Sequence, residues 1–101
     1  SGNIGDNHAF FEPVHGSAPK YAGMNKVNPI ASINSIQMMM DWLGRKNNNQ
    51  NILHVATAIE SSVSAHLAQG KHLTYDLGGD STCSMVGDLI SQRLEKILRE
   101  S

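Results

Sequence analysis

The sequence FEPVHGSAPKYAG occupies residues 11–23, and the pair Asn-Pro follows at residues 28–29. Gly16 and Gly23 permit backbone conformations that are closed to other residues, while the prolines of this region restrict the chain. The stretch therefore predicts a loop of defined shape that leads into a helix beginning at Asn28. Free amides in such a loop and at the start of a helix suit the phosphates and sugars of a nucleotide, and an ordinary structural turn is the alternative.

Length, charge and cysteine content narrow the class of protein. A chain of 101 residues is long enough for one small domain with one core. Its formal net charge of -1 gives no basic surface for a nucleic-acid backbone, so nucleic acid is not an expected partner. Cys83 is the only cysteine, which excludes an internal disulfide and favours the cytoplasm. No apolar run reaches the roughly 18 residues that span a bilayer, so we expect no membrane partner.

Apolar periodicity and terminal signals predict three helices and two short strands. The helices are expected at about 29–43, with Gly44 as the stop, at about 51–69, with Gly70 as the stop, and from a cap at Ser81 or Thr82 nearly to the end of the chain. The strands are expected at 9–14 and 71–77, and the polar run 45–50 reads as an exposed connection. The fold class is therefore α/β, with a first helix that is buried on most sides.

Two short strands cannot build a closed sheet by themselves. We therefore expect them to pair with strands that this chain lacks or that a partner supplies, because unpaired strand edges promote aggregation.

Several blocks together resemble the carboxy-terminal part of the isocitrate and 3-isopropylmalate dehydrogenases, a family of β-decarboxylating, metal-dependent enzymes. The blocks are residues 3–6, 11–23, 28–29, 30–44, 75–79 and 86–88. The resemblance covers essentially the whole chain and is strongest for the NADP-dependent isocitrate dehydrogenases. It implies a three-layer isopropylmalate-dehydrogenase-like fold in which residues 1–101 form the carboxy-terminal segment of the large, cofactor-binding domain. The rest of the enzyme, which is expected to be a homodimer when complete, is absent from the sequence.

The resemblance also assigns cofactor-binding residues. It places the adenosine end of the cofactor against His15, Gly16, Ser17, Ala18 and Asn28, and it places Glu12 near the nicotinamide ribose. It adds Lys20, Tyr21, Val27 and Tyr75 as residues that match the NADP-dependent enzymes, with Asp76 from the same block as Tyr75. It assigns no catalytic residue and no ligand of the family's Mg²⁺ or Mn²⁺ to this chain.

The choice of cofactor depends on charge near the adenosine ribose. Lys20 stands where NAD-using members carry an acidic residue, and a lysine can bind a 2′-phosphate through charge-assisted hydrogen bonds, so we expect NADP. Gly79 stands where bacterial NADP enzymes carry an arginine, which keeps NAD possible.

The resulting prediction is a cofactor-binding segment of an NADP-dependent isocitrate dehydrogenase that has no activity alone. One alternative is a segment of an NAD-dependent 3-isopropylmalate or homoisocitrate dehydrogenase. Another is a free-standing, non-catalytic fragment that binds a nucleotide or has only a structural role.

Overall fold

The computed structural model describes residues 2–5, 9–11 and 24–100, which are mostly helical. Its elements are strands β1 (Gly2–Ile4) and β2 (Ala9–Phe11), helices α1 (Ile30–Lys46), α2 (Gln50–Gln69) and α3 (Cys83–Arg99), and a 3-10 turn at Tyr75–Leu77. Within these residues, no helix has the length and apolar character needed to cross a membrane.

The two strands form a small antiparallel hairpin in which Gly2 lies opposite Phe11. The ring of Phe11 lies 6.4 Å from the ring of Trp42, measured between centroids, and so packs the hairpin on α1. The first three residues of the predicted strand 9–14 form β2, and residues 12–14 lie outside the described residues. The expectation that this strand needs a partner from elsewhere is wrong, because β1 of the same chain supplies the pairing.

The predicted strand at 71–77 is wrong. The amides of Leu77 and Gly79 both donate to the carbonyl of Thr74, at 3.0 Å each, and these bonds close a turn where a strand would be extended. Tyr75 and Leu77 alternate with polar residues along this segment, as the residues of a half-buried strand do, but each is 45% exposed. Local hydrogen bonds therefore override the two-residue period, and the predicted pair of strands is not supported.

Helix α1 runs three residues beyond its predicted end, so Gly44 is not a helix stop. Gly44 is buried inside the helix, and a Cβ atom built on it would lie 2.8 Å from Cγ of Leu53 in α2. The glycine thus permits close approach of two helices. The chain instead turns after Lys46, at Asn48, whose φ of 50° lies in the left-handed region that asparagine tolerates. Residues 45 and 46, which were predicted to belong to the exposed connection, are the last two residues of α1.

The predictions for the second and third helices are confirmed. Helix α2 ends at Gly70, whose φ is 66°, as expected of a glycine that terminates a helix. Helix α3 begins after Thr82, whose Oγ1 accepts a hydrogen bond from the amide of Met85 at 3.1 Å. Of the two predicted candidates, Ser81 and Thr82, Thr82 is therefore the capping residue.

Helix α2 packs against both α1 and α3. The main buried cluster joins all three helices through Ile30, Val63, Val86 and Ile90, with Ile33 beside it. Ile36 and Met39 on α1 are 50% and 40% exposed, so the prediction that this helix is buried on most sides is wrong for the described part of the chain. The reason is that α2 and the hairpin together cover only part of its apolar surface.

Candidate functional site

The segment that precedes α1 is bonded to the amino end of α3. The carbonyl of Asn25 accepts a hydrogen bond from the amide of Cys83 at 2.8 Å. The Asn25 side chain accepts from the Ser84 amide at 2.9 Å and donates to Ser84 Oγ at 2.6 Å. Asn25 therefore satisfies two of the amides that a helix start leaves without intrahelical partners, and it fixes the path of the chain toward Asn28.

Asn28 lies at the start of α1, and both the oxygen and the nitrogen of its carboxamide are hydrogen-bonded. Its Oδ1 accepts a hydrogen bond from the amide of Ile30 at 2.9 Å, and its Nδ2 donates to Oδ2 of Asp76 at 3.1 Å. The expected role of Asn28 in satisfying a free amide at this helix start is confirmed. The contact with Asp76 joins the start of α1 to the 3-10 turn, 48 positions further along the chain.

Asp76 is in turn bonded to a buried threonine. Thr74 Oγ1 donates to Asp76 Oδ1 at 2.5 Å, and Thr74 is only 1% exposed. We call this connected set, formed by Thr74, Asp76, Asn28 and the backbone amide of Ile30, the amide clamp. It holds a carboxamide and a carboxylate in fixed positions at the positively polarised amino end of a helix.

Four of the eleven cofactor-binding residues suggested by the sequence lie in the described part of the chain. Asn28 and Asp76 are in direct contact. Val27 and Tyr75 are 37% and 45% exposed and precede them directly, so they lie at the same corner, since consecutive Cα atoms are about 3.8 Å apart. The other seven lie outside the described residues and are Glu12, His15, Gly16, Ser17, Ala18, Lys20 and Tyr21.

An open groove of about 780 Å³ begins at Asn28 and runs between α1 and α2. Its lining is mostly apolar, with polar side chains at Asn34, Gln37, Glu60 and Ser64. The amide clamp therefore borders a space that is wide enough for a ligand and that combines apolar walls with a few polar groups.

Gly79 is required by the backbone around the 3-10 turn. A Cβ atom at this position would collide with the carbonyl oxygen of Leu73. The turn that carries Tyr75 and Asp76 therefore leaves no room for a side chain at position 79 in this conformation.

Potential metal-ligating side chains do not gather into a cluster in the part of the chain that the structure describes. Within residues 2–5, 9–11 and 24–100, no group of three or more His, Cys, Asp or Glu side chains could hold a metal ion. His66 is 2% exposed, and its Nε2 lies 3.0 Å from the carbonyl oxygen of His72, a contact in which the ring nitrogen donates. It is a core histidine whose polar atom is satisfied by the backbone.

Two residues of this region were missed by sequence reasoning. Thr74 stands two residues before Asp76, a spacing at which a hydroxyl commonly bonds a neighbouring polar group, so a local signal existed. Asn25 bonds Ser84, which is 59 positions away. No local pattern in the sequence could have revealed that contact.

Comparison with known proteins identifies related chains. A family model described as isocitrate/isopropylmalate dehydrogenase matches residues 1–90. A mitochondrial regulatory subunit of the NAD isocitrate dehydrogenase of Dictyostelium discoideum is 45% identical over 101 residues, which are 99% of this chain and 27% of that protein. The isocitrate/homoisocitrate dehydrogenase of Thermus thermophilus is 43% identical over 97 residues, which are 96% of this chain and 27% of that protein.

A third relative has a different named substrate. A 3-isopropylmalate dehydrogenase of Aspergillus niger is 43% identical over 93 residues, which are 91% of this chain and 23% of that protein. The chain thus spans about a quarter of the length of the curated relatives it matches.

Proposed function

We propose that the amide clamp binds the adenosine half of a nicotinamide dinucleotide. The premise is that this chain belongs to the isocitrate/isopropylmalate dehydrogenase family. The observation that carries the proposal is the fixed carboxamide of Asn28, which accepts from Ile30 and donates to Asp76 at the amino end of α1. The polarised helix start favours the nucleotide's electron-rich groups, and the adjoining groove offers room for it.

The carboxamide of Asn28 retains hydrogen-bonding capacity for a ligand. An asparagine side chain carries two N–H groups and an oxygen with two lone pairs. Ile30 and Asp76 use one lone pair and one N–H, and the described residues supply no partner for the others. Adenine presents an amino group and ring nitrogens on adjacent positions, so it can donate to the free lone pair and accept from the free N–H.

The complete enzyme would oxidise a 2-hydroxy acid by hydride transfer to the nicotinamide and then release carbon dioxide from the resulting keto acid. A divalent ion such as Mg²⁺ or Mn²⁺ supplies Lewis-acid chemistry in this reaction class. Among the described residues, no group of three or more His, Cys, Asp or Glu side chains could bind this ion. The role of this segment is to hold the cofactor in position.

The substrate and assembly of the complete enzyme rest on the family resemblance, and its location rests on the single cysteine, Cys83. Isocitrate is the substrate we favour, and 3-isopropylmalate and homoisocitrate are the alternatives that the relatives' names support. A homodimer in the cytoplasm remains our proposal.

Two features bear on the choice between NADP and NAD. Lys20 and Tyr21 favour NADP, since a cation and a phenol can bind a 2′-phosphate. Gly79, which the backbone requires, removes one phosphate contact of the bacterial NADP enzymes, and the relatives include a protein named for NAD. NADP is our proposal for the preferred cofactor because of Lys20 and Tyr21, and NAD is the alternative that Gly79 and the relative's name support.

Replacing Lys20 with Asp tests the cofactor proposal. Loss of a hydrogen bond to a charged group costs about 1.5–3 kcal/mol, so the affinity of the complete polypeptide for NADP should fall by about 10-fold to 100-fold while that for NAD changes much less. Calorimetric titration of both cofactors measures the two dissociation constants. Lys71→Asp, at an exposed position of the described structure, is the matched control for net charge, and equal losses for both cofactors in Lys20→Asp would remove the phosphate-binding role.

A non-catalytic subunit is the second candidate function. The name of the Dictyostelium relative, which is a regulatory subunit, supports it. Turnover assays decide between the two candidates. Isocitrate-dependent reduction of the cofactor by the purified complete polypeptide alone favours the enzyme, whereas cofactor binding without turnover favours the subunit.

A further inference from the structure

Thr74 is a buried threonine whose hydroxyl holds the outer part of the amide clamp. With 1% of its surface exposed, it is among the most buried side chains of the described residues. Its Oγ1 donates to Asp76 Oδ1, which leaves Oδ2 of the same carboxylate directed to Nδ2 of Asn28. The position of the hydroxyl therefore determines how the carboxylate meets the asparagine.

An asparagine carboxamide has two orientations that differ by a half-turn and exchange its oxygen and nitrogen. The amide of Ile30 can only donate, and it faces Oδ1; the carboxylate of Asp76 accepts, and it faces Nδ2. The half-turn would set an oxygen against the carboxylate and an N–H group against an N–H group. The clamp thus permits one orientation of Asn28.

We propose that Thr74 is a positioning residue that makes the cofactor site selective for adenine over hypoxanthine. This inference rests on the proposed function, since it requires Asn28 to contact the purine. At adjacent ring positions, adenine has an amino donor at C6 and an acceptor at N1, whereas hypoxanthine has a carbonyl acceptor at C6 and an N1–H donor. A carboxamide held in one orientation matches one of these patterns, and a carboxamide free to rotate can match either.

Substitution of the threonine by its isosteric apolar counterpart tests the inference. The dissociation constants of NADP and of its hypoxanthine analogue, and of NAD and its hypoxanthine analogue, are measured by calorimetry on the complete polypeptide, and the pair that binds more tightly is compared. We expect the unaltered protein to prefer the adenine dinucleotide of that pair. Thr74→Val should reduce the ratio of the two constants by about threefold to tenfold, which is the loss expected for one hydrogen bond, and Thr74→Ser should retain the ratio.

A second variant keeps the inference falsifiable if Thr74→Val does not fold. Asp76 is exposed, so Asp76→Asn is compatible with folding, and because an amide can present a donor or an acceptor to Asn28, the ratio should again fall. Thr82→Val is the matched control, since it removes a threonine hydroxyl that caps α3 without touching the clamp, and it should leave the ratio unchanged.

The outcomes separate this inference from the function on which it rests. A protein that binds neither NADP nor NAD contradicts the proposed function and the role of Thr74 with it. A protein that binds either of them, but whose Thr74→Val and Asp76→Asn variants keep the original ratio or weaken both dinucleotides of the pair equally, contradicts the role of Thr74 alone.

Discussion

At the scale of single residues, two helical glycines differ in their surroundings: Gly44 lies against a neighbouring helix and Gly87 does not. Replacing each with alanine should therefore change the free energy of unfolding in opposite directions. Gly44→Ala places a methyl group 2.8 Å from Leu53 Cγ and 3.1 Å from the Leu53 backbone nitrogen, so we expect a loss of about 1–3 kcal/mol in the free energy of unfolding. Gly87→Ala meets nothing within 4 Å and should gain about 0.5–1 kcal/mol from helix propensity. Urea denaturation of both variants measures these changes, and equal effects of the two substitutions would contradict a packing role for Gly44.

At the scale of elements, the side chain of Thr82 caps the start of α3, and the neighbouring Ser81 does not take this role. Thr82 Oγ1 accepts from the amide of Met85, so Thr82→Ala should lower the free energy of unfolding by about 1 kcal/mol, the usual cost of losing a helix cap. Ser81→Ala is the matched control and should stay within about 0.5 kcal/mol of the unaltered protein. Thermal unfolding followed by circular dichroism compares the two, and a larger effect at Ser81 would show that the cap lies there instead.

At the scale of the whole molecule, stability should be concentrated in α2, because this helix packs against both of the others. Its middle contains Ala56, Ile59 and Val63, all buried, whereas the β1–β2 hairpin consists of two three-residue strands. Amides in the middle of α2 should therefore exchange with deuterium at least about tenfold more slowly than those of the hairpin, since local opening is easiest where few apolar groups are buried. Peptide-resolved hydrogen–deuterium exchange measures this difference, and comparable rates in the two elements would show that the hairpin opens only with the core.

The sequence by itself determined the features that depend on neighbouring residues. The second and third helices were predicted nearly to their ends, because apolar residues at helical spacing, Thr82 as a cap and Gly70 as a stop act within a few positions of one another. The contact of Asn28 with the start of α1 was predictable for the same reason. The family resemblance also came from local blocks of sequence, and the match over residues 1–90 confirms it at the level of the family.

Only the tertiary structure decided the features that join distant positions. Gly44 looks like a helix stop until Leu53 of the next helix is seen to lie against it. The turn that replaces the predicted strand at 71–77 is closed by local bonds to Thr74 and Leu73, but the alternation of apolar and polar residues does not reveal them. The bond between Asn28 and Asp76, 48 positions apart, turns two ordinary polar residues into a clamp. A hydrogen bond or a steric contact across the fold depends on where packing places each element, and the spacing of residues along the chain does not contain that position.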